Sequence, residues 1–276
     1  MSITRRSALG YASGLAVASG IANPGLAATM RRARGAAREF AHPQTAQRFN
    51  PLVIHRDEAG GTPHFATLWI KSADTAWMAI NTQDDASYRE AFDKYRLRGY
   101  RLRRINAFQT KNGMRYAAIW QLASGPQWQA SHGMTLAQFD EASAQNAQQG
   151  YRLSYIDACG TQDGARYSAI WEHADGPAME AATALTDAEY RQKFAALTAQ
   201  GFRVRQISSY AAGGESRFAA IFEKSAGPTW EADHRMTAPA FRQKSDAMAA
   251  NGYRLIDVSG HAIGEIPAFS GIWEKA

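Results

Sequence analysis

A tetrad of the form Gly-aromatic-Arg-aliphatic recurs every 51 residues, and this period constrains the fold more than any other feature of the chain. The four copies read GYRL, GYRL, GFRV and GYRL, and they begin at Gly99, Gly150, Gly201 and Gly252. Aromatic residues keep the same spacing further along each copy, for example at Tyr116 and Trp120. A long period without insertions is typical of repeat proteins, in which each unit packs mainly against its neighbours.

A degenerate copy precedes the four tetrads. It begins at Arg48, with Phe49 in the aromatic position and Asn50-Pro51 in place of the Arg-Leu pair, and it lacks a later Gly-Pro dipeptide, which indicates an end cap. We therefore interpret residues 48–276 as one repeat domain with units at 48–98, 99–149, 150–200 and 201–251 and a half unit at 252–276.

The first half of each unit predicts a β-hairpin. The runs YRLRRINAF and RYAAIWQL are rich in β-forming residues and flank a turn signal at Lys111 to Gly113. A two-residue turn at Asn112-Gly113 would place Ile105 opposite Trp120. Because the second run is apolar on both faces, we expect both faces of the sheet to be covered.

The second half of each unit predicts a linker that begins at a Gly-Pro dipeptide, followed by a helix. The helices begin after the N-cap residues Asp84, Thr135, Thr186 and Thr237. Gln138 and Glu189 follow two of these caps by three residues, which predicts capping boxes. Each tetrad Gly falls just past a helix end, where a left-handed backbone favours glycine.

These patterns together predict an α+β fold. Tandem ββα repeats of 51 residues are expected to form a curved antiparallel sheet with the helices on one face. Whether that sheet closes on itself is left open by the sequence.

The first 27 residues predict a twin-arginine signal peptide, with Arg5-Arg6 ahead of an apolar stretch that is too short to span a bilayer. Residues 28–47 are interpreted as a basic, flexible leader. We expect a soluble periplasmic or secreted protein without a transmembrane segment in its mature part. The single cysteine, Cys159, excludes an intramolecular disulfide, and the scattered positive charge does not suggest a nucleic-acid-binding protein.

The tetrad arginines Arg101, Arg152, Arg203 and Arg254 are the first candidates for ligand binding. An evenly spaced row of guanidinium groups could bind an anionic polymer, a uronic sugar or a carboxylate-bearing peptide. Alternatively, Glu172, Glu223 and Glu274 could pair with arginines of their own sheets, and we favour this ion-pair ladder. Gln121 interrupts the acid series, so Arg101 is expected to be the unpaired arginine.

His132 and His234 occupy equivalent positions before two helices and could bind a metal or act as a base, although a packing or capping role is favoured. Trp128 and Trp230, together with Trp77, could stack on sugar rings, but a place between units is again favoured. No metal site, cofactor or catalytic residue is predicted, since the common nucleophile and nucleotide motifs are absent and Cys159 lies in a variable position.

The unit GYRLRRINAFQTKNGMRYAAIWQLASGPQWQASHGMT resembles the bacterial tandem repeat family of secreted proteins, and the resemblance covers residues 48–276. Similar repeats form the N-terminal region of fungal polyglycine hydrolases, endopeptidases whose catalysis is attributed to an attached β-lactamase-like serine domain. The Ser-x-x-Lys motif of that domain is missing here. The resemblance therefore implies the repeat scaffold without the peptidase, and it assigns no catalytic residues.

Three functional hypotheses follow. The first is an exported, non-catalytic scaffold or recognition module that binds an extended ligand, such as a cell-envelope polysaccharide or peptide. The alternative is a secreted hydrolase, peptidase-like or glycosidase-like, whose site is assembled from several repeats. The third is a structural envelope component that acts through self-association. The sequence leaves the ligand and the oligomeric state open.

Overall fold

A computed structural model describes residues 26–32, 38–42, 49–57, 64–71 and 76–276 of the chain, with side chains from residue 76 onwards except for residues 81 and 82. Four strands come first: β1 (Leu26–Arg32), β2 (Arg38–His42), β3 (Phe49–Asp57) and β4 (His64–Lys71).

The rest of the chain repeats one strand-helix-strand-strand pattern four times. The first two copies are β5 (Trp77–Gln83), α1 (Asp85–Leu97), β6 (Tyr100–Thr110) and β7 (Gly113–Leu122), then β8 (Trp128–Met134), α2 (Leu136–Gln148), β9 (Tyr151–Thr161) and β10 (Gly164–His173). The last two are β11 (Met179–Leu185), α3 (Asp187–Ala199), β12 (Arg203–Ala212) and β13 (Glu215–Glu223), then β14 (Trp230–Met236), α4 (Ala238–Ala250), β15 (Tyr253–Ile263) and β16 (Ile266–Lys275).

Each copy forms its own antiparallel sheet, in the strand orders β5-β7-β6, β8-β10-β9, β11-β13-β12 and β14-β16-β15. Strand β2 extends the first of these sheets beside β5, and β1, β4 and β3 form a fifth sheet. The predicted α+β fold of tandem repeats is confirmed. The strand before each helix was not predicted, and the strands form separate sheets rather than one curved sheet.

The five sheets are arranged around a common axis. Strand β9 contacts both β6 and β12, and β15 contacts both β12 and β3, while β3 also contacts β6. The first strands of the five hairpins therefore form a closed circuit of contacts, as the inner strands of propeller blades do. Each helix packs on its own sheet, which agrees with the predicted helices on one face.

Aromatic residues from sheet and helix fill the space under each helix. Phe139 of α2 lies 6.3 Å from Trp171, and Phe241 of α4 lies 5.7 Å from Trp273, measured between ring centroids. The repeated aromatic residue of the second strand is at most 1% exposed in every copy, at Trp120, Trp171, Phe222 and Trp273. Burial of a ring of this size stabilises the fold by about 2–3 kcal/mol. The aromatic residues that recur with the 51-residue period are therefore core residues.

The helix boundaries are confirmed. Thr135 and Thr186 are N-caps with complete capping boxes, formed with Gln138 and Glu189. Gly150 has a φ of +80° directly after the C-cap of α2, and the other tetrad glycines have the same left-handed backbone. A side chain is disfavoured in this conformation, which explains the Gly of the tetrad.

The predicted hairpin register is wrong by two residues. Thr110 pairs with Gly113, so the turn is Lys111-Asn112, and Ile105 lies opposite Ala118 rather than Trp120. Gly113, with a φ of +93°, follows the turn instead of forming part of it. A glycine signal marks the residue with positive φ, but it does not distinguish a turn position from the strand residue after the turn.

The N-terminal predictions fall largely outside the described residues. The predicted signal sequence up to residue 25 lies outside them. Strands β1 and β2 reach into the segment 28–47, where they pair with β4 and β5, and this differs from the expected flexible leader. Within the described part of the chain, every helix is too short or too polar to cross a bilayer.

Candidate functional site

Three tetrad arginines form ion pairs between consecutive sheets. The distances from guanidinium nitrogen to carboxylate oxygen are 2.9 Å for Arg101 and Glu172, 3.6 Å for Arg152 and Glu223, and 2.7 Å for Arg203 and Glu274. The predicted ladder therefore exists, but each acid belongs to the next sheet and not to the arginine's own sheet. The expectation that Arg101 is unpaired is wrong, and the residue is buried, with 6% exposed. Its acid comes from the next sheet, so the glutamine at position 121 of its own sheet does not affect the pairing.

The guanidinium group of each of these arginines lies against a Gly-Pro dipeptide. Arg152 donates a hydrogen bond to the carbonyl of Pro177 at 2.6 Å, and Arg101 donates to the carbonyl of Pro126. A Cβ atom on Gly176 would lie 2.8 Å from Cζ of Arg152. A side chain at this position would displace the guanidinium, so glycine permits its close approach, and the two sequence motifs form one joint between sheets.

Arg254 is the exception to this ladder. Its side chain is exposed and makes no ion pair or hydrogen bond with the residues described from 76 to 276. The half unit that contains it has no Gly-Pro dipeptide, and Ile70 stands in the next sheet where the other units have Glu or Gln. The last arginine thus lacks both of the groups that hold the others.

The two histidines are packed against helix starts. The Nε2 atom of His132 lies 2.9 Å from Oδ1 of Asp85, and that of His234 lies 3.0 Å from Oδ1 of Asp187. Each imidazole also lies edge-on to a buried tyrosine, with 4.6 Å between the centroids of His132 and Tyr88. Burial lowers the pKa of both histidines, although the neighbouring aspartates oppose this shift. Both therefore remain neutral at pH 7 and pack the helix to the neighbouring strand.

The structure does not bring these histidines together, because they lie on strands β8 and β14 of different sheets. Among the described residues, no group of three His, Cys, Asp or Glu side chains could hold a metal ion. Cys159 is buried, and its Sγ lies 3.3 Å from the carbonyl oxygen of Gly160.

The tryptophans that precede the helices lie between repeats. Trp77 is buried, whereas Trp128 and Trp230 are half-buried. Trp128 lies edge-on to Phe92 of α1 with 5.7 Å between centroids, and Trp230 lies edge-on to Phe194 of α3 at 5.9 Å. Trp128 and Trp230 thus each pack on the helix of the preceding unit and keep part of their surface accessible.

Trp128 lines a cleft of about 600 Å³ in which two successive copies of the repeat meet. The remaining lining residues come from α1, from the start of β8 and from the start of β9, and they are Phe92, Arg96, Gln127, Gln129, Ala130 and Tyr151. Three aromatic rings, two amides and one guanidinium therefore face one open space, which is the composition of many binding sites for small polar ligands.

The polar groups of this cleft are available to a ligand. Arg96 is exposed in the last turn of α1, and its side chain makes no hydrogen bond or ion pair with any described residue. The hydroxyl of Tyr151 donates to Oε1 of Gln127 at 3.3 Å, while the amide nitrogen of Gln127 stays free to donate. Of these residues the sequence singled out only Trp128. Arg96, Gln127 and Gln129 are specific to one unit, and a comparison of equivalent positions between units is the signal that could have found them.

A second polar group, which the sequence did not reveal, surrounds the common axis. The backbone amides of Ala107, Ala158 and Ser209 donate to side chains of the next sheet, namely Asp157, Ser208 and Ser259. Gln206 and Asp257 accept in the same way from Ile156 and Ile207. The first strand of each hairpin lies at the edge of its sheet, where the outward-facing backbone N–H groups have no neighbouring strand. The side chains of the next sheet accept hydrogen bonds from these groups.

Two carboxylates lie in this group. Burial raises the pKa of Asp157 to about 7, although hydrogen bonds from Ala107, Asn106 and Ser208 oppose the shift. Burial likewise raises the pKa of Asp257 to about 6, and the charge of Arg104 opposes it. Since each carboxylate accepts a backbone hydrogen bond across a sheet boundary, their role is to join sheets.

The comparison with known protein families identifies the repeat. The family described as polyglycine hydrolase-like, structural repeat, matches residues 74–122, 125–174, 176–225 and 227–276. Each match contains one helix and the three strands of one hydrogen-bonded sheet. In this frame the C-terminal half unit becomes part of a complete unit. The search of curated proteins found no match.

Proposed function

Since the chain belongs to the family of polyglycine hydrolase-like structural repeats, we propose that it is an exported, non-catalytic recognition module. It acts in the periplasm or outside the cell, and it binds one stretch of an extended cell-envelope polymer in the cleft between α1, β8 and β9. The observation that carries this proposal is the cleft, in which partly accessible aromatic rings lie beside the exposed guanidinium of Arg96 and the free amide nitrogen of Gln127.

Structural contacts already occupy the residues that would otherwise suggest catalysis. His132 is held by Asp85 and by two aromatic rings, and burial keeps its pKa low. Cys159 is buried. The repeated arginines Arg101 and Arg203 are buried in ion pairs between sheets. These contacts support a binding role over a hydrolytic one.

The shape of the cleft supports an extended ligand. It lies open to solvent where two copies of the repeat meet, and the ring of Trp128, which packs edge-on to Phe92, lines it together with Tyr151. Aromatic surfaces of this kind bind the apolar faces of sugar rings or the side chains of a peptide. An open cleft allows the rest of a polymer to continue past the site in both directions.

The first experiment measures binding by isothermal titration calorimetry. The full chain without residues 1–27 is titrated with soluble peptidoglycan fragments, oligosaccharides and Gly-rich peptides. We expect one class to bind, and we expect Trp128→Ala to weaken that binding at least tenfold while the matched variant Trp230→Ala leaves it within twofold. Equal loss in both variants, or release of cleavage products from the ligand, would contradict the proposal.

Export is tested separately by fractionation of cells that produce the full chain. Replacing Arg5 and Arg6 with lysine removes the twin-arginine motif while keeping the charge. We expect the native chain in the periplasm or the medium and the variant in the cytoplasm. Equal distribution of the two chains would contradict twin-arginine export without affecting the binding proposal.

A further inference from the structure

We propose that the cleft selects a saccharide that carries a carboxylate, such as a uronic acid unit, and that Arg96 binds the carboxylate. This inference rests on the proposed function and names the ligand class of the same site. It is carried by an exposed guanidinium placed beside aromatic rings and amides in one cleft.

Unlike Arg89 and Arg101, Arg96 has a side chain without a partner among the described residues, and unlike Arg98 it lines the cleft. Arg89, on the same helix, bonds to Asp85 at 2.9 Å, and Arg101 bonds to Glu172 at 2.9 Å. Arg96 points to the cleft from the last turn of α1 and lines it together with Phe92, one turn earlier. A guanidinium binds a carboxylate through two parallel hydrogen bonds, which gives this residue the geometry for an acidic group.

The remaining lining groups favour a sugar ring as the body of the ligand. The rings of Phe92, Trp128 and Tyr151 offer apolar surface for the C–H face of a pyranose, while Gln127 and Gln129 offer amides for its hydroxyl groups. An acidic peptide would meet the same guanidinium. The concentration of three rings and two amides in a shallow cleft is better matched to a flat, hydroxyl-rich ligand.

The equivalent position two units later shows that the fold does not need this charge. There, Phe194, Trp230 and Tyr253 repeat the aromatic residues, but Thr198 and Thr229 replace Arg96 and Gln127. The hydroxyl of Thr198 donates to the carbonyl of Phe194 in its own helix at 2.8 Å. The same helix-to-strand packing forms without a cation, so packing does not account for Arg96.

The test uses calorimetry with three probes of similar size: trigalacturonate, its neutral methyl ester and triglutamate. We expect trigalacturonate to bind at least tenfold more tightly than the ester and triglutamate, with the preference reduced as salt increases. Arg96→Thr, which introduces the residue found at the equivalent position, should abolish the preference. Arg98→Thr removes an exposed charge outside the cleft and should leave the preference unchanged.

The outcomes separate this inference from the proposed function. If the ester binds as tightly as trigalacturonate and Trp128→Ala weakens both, the site is a sugar site without acid selection, and the inference is overturned. Equal or stronger binding of triglutamate also overturns it. If none of the three probes binds and the wider ligand panel also fails, both proposals are wrong.

Discussion

Two junctions of this molecule share one architecture and differ in a few side chains. In one, Phe92 of helix α1 packs on Trp128, with Tyr151 lining the same cleft; in the other, Phe194 of helix α3 packs on Trp230, and Tyr253 stands at the position equivalent to Tyr151. Both tryptophans lie edge-on to a phenylalanine of the helix, at 5.7 Å and 5.9 Å. Trp230 also has the guanidinium of Arg203 at 5.9 Å from its ring, a contact made within the ladder between sheets.

The difference between the junctions teaches where function can reside in such a repeat. The aromatic residues are repeated because they pack one unit on the next. Arg96 and Gln127 are not repeated, and the second junction forms with threonine at both positions. At these junctions the recurring aromatic residues pack the units together, and the non-repeated Arg96 and Gln127 present polar groups to the cleft.

The largest expected effect comes from breaking the arginine joint. Arg203→Leu leaves the largely buried carboxylate of Glu274 with only the partly exposed Arg205 as a partner. We expect a loss of about 3 kcal/mol in the free energy of unfolding. The matched variant Arg254→Leu removes an exposed arginine without described partners and should stay within about 0.5 kcal/mol. Urea denaturation measures both, and similar losses would show that the ladder does not stabilise the fold.

A smaller, pH-dependent effect is expected at Asp157. Because the folded-state pKa of about 7 lies above the ordinary value of 3.8, the folded chain binds the extra proton, and the stability from this group decreases as the pH rises from about 4 to 7. Asp157→Asn cannot titrate. The stability of the wild type relative to this variant should therefore fall by on the order of 2 kcal/mol between pH 5 and 8.

Thermal unfolding of both chains across this range provides the measurement. Three histidines with pKa values lowered mainly by burial, at positions 132, 234 and 261, oppose the trend in the wild type. They are present in both chains, so the difference isolates Asp157. A difference that does not change with pH would contradict the raised pKa.

The smallest effect concerns the tetrad glycines. Gly99→Ala introduces a side chain at a φ of +80° with only an ordinary contact, 3.6 Å from Leu122. We expect a loss of about 1 kcal/mol from the left-handed backbone alone. Gly150→Ala has the same φ and also brings Cβ within 3.1 Å of His173, so its loss should be equal or larger. An unchanged melting temperature in both variants would contradict the helix-terminating role.

Local features of the fold could be predicted from the sequence because they depend on neighbouring residues. Thr135 with Gln138 specifies a capping box, and Gly150 specifies a left-handed residue, whatever the remainder of the chain does. Strand β8 could not be predicted in this way. It pairs with β10, which lies beyond a whole helix and a further strand, so its extended form depends on tertiary pairing.

The candidate site was missed for a related reason. The contact between Arg101 and Glu172 and the cleft around Trp128 both join groups from different units. A search for the period finds what units share, whereas Arg96 and Gln127 stand out only by departing from it. The hydrogen bond from the backbone amide of Ala107 to Asp157 joins two neighbouring sheets and depends on the closed arrangement of the five sheets, which the period alone does not specify.

The most direct test converts the first junction into the second. The double variant Arg96→Thr and Gln127→Thr should keep the melting temperature of the native chain within about 1 °C, since these surface side chains make few contacts in the fold. It should also lose at least tenfold in affinity for trigalacturonate, measured by calorimetry on the same preparation. Unchanged affinity would show that the departures from the repeat do not bind the ligand. A large fall in melting temperature would show that they hold the fold instead.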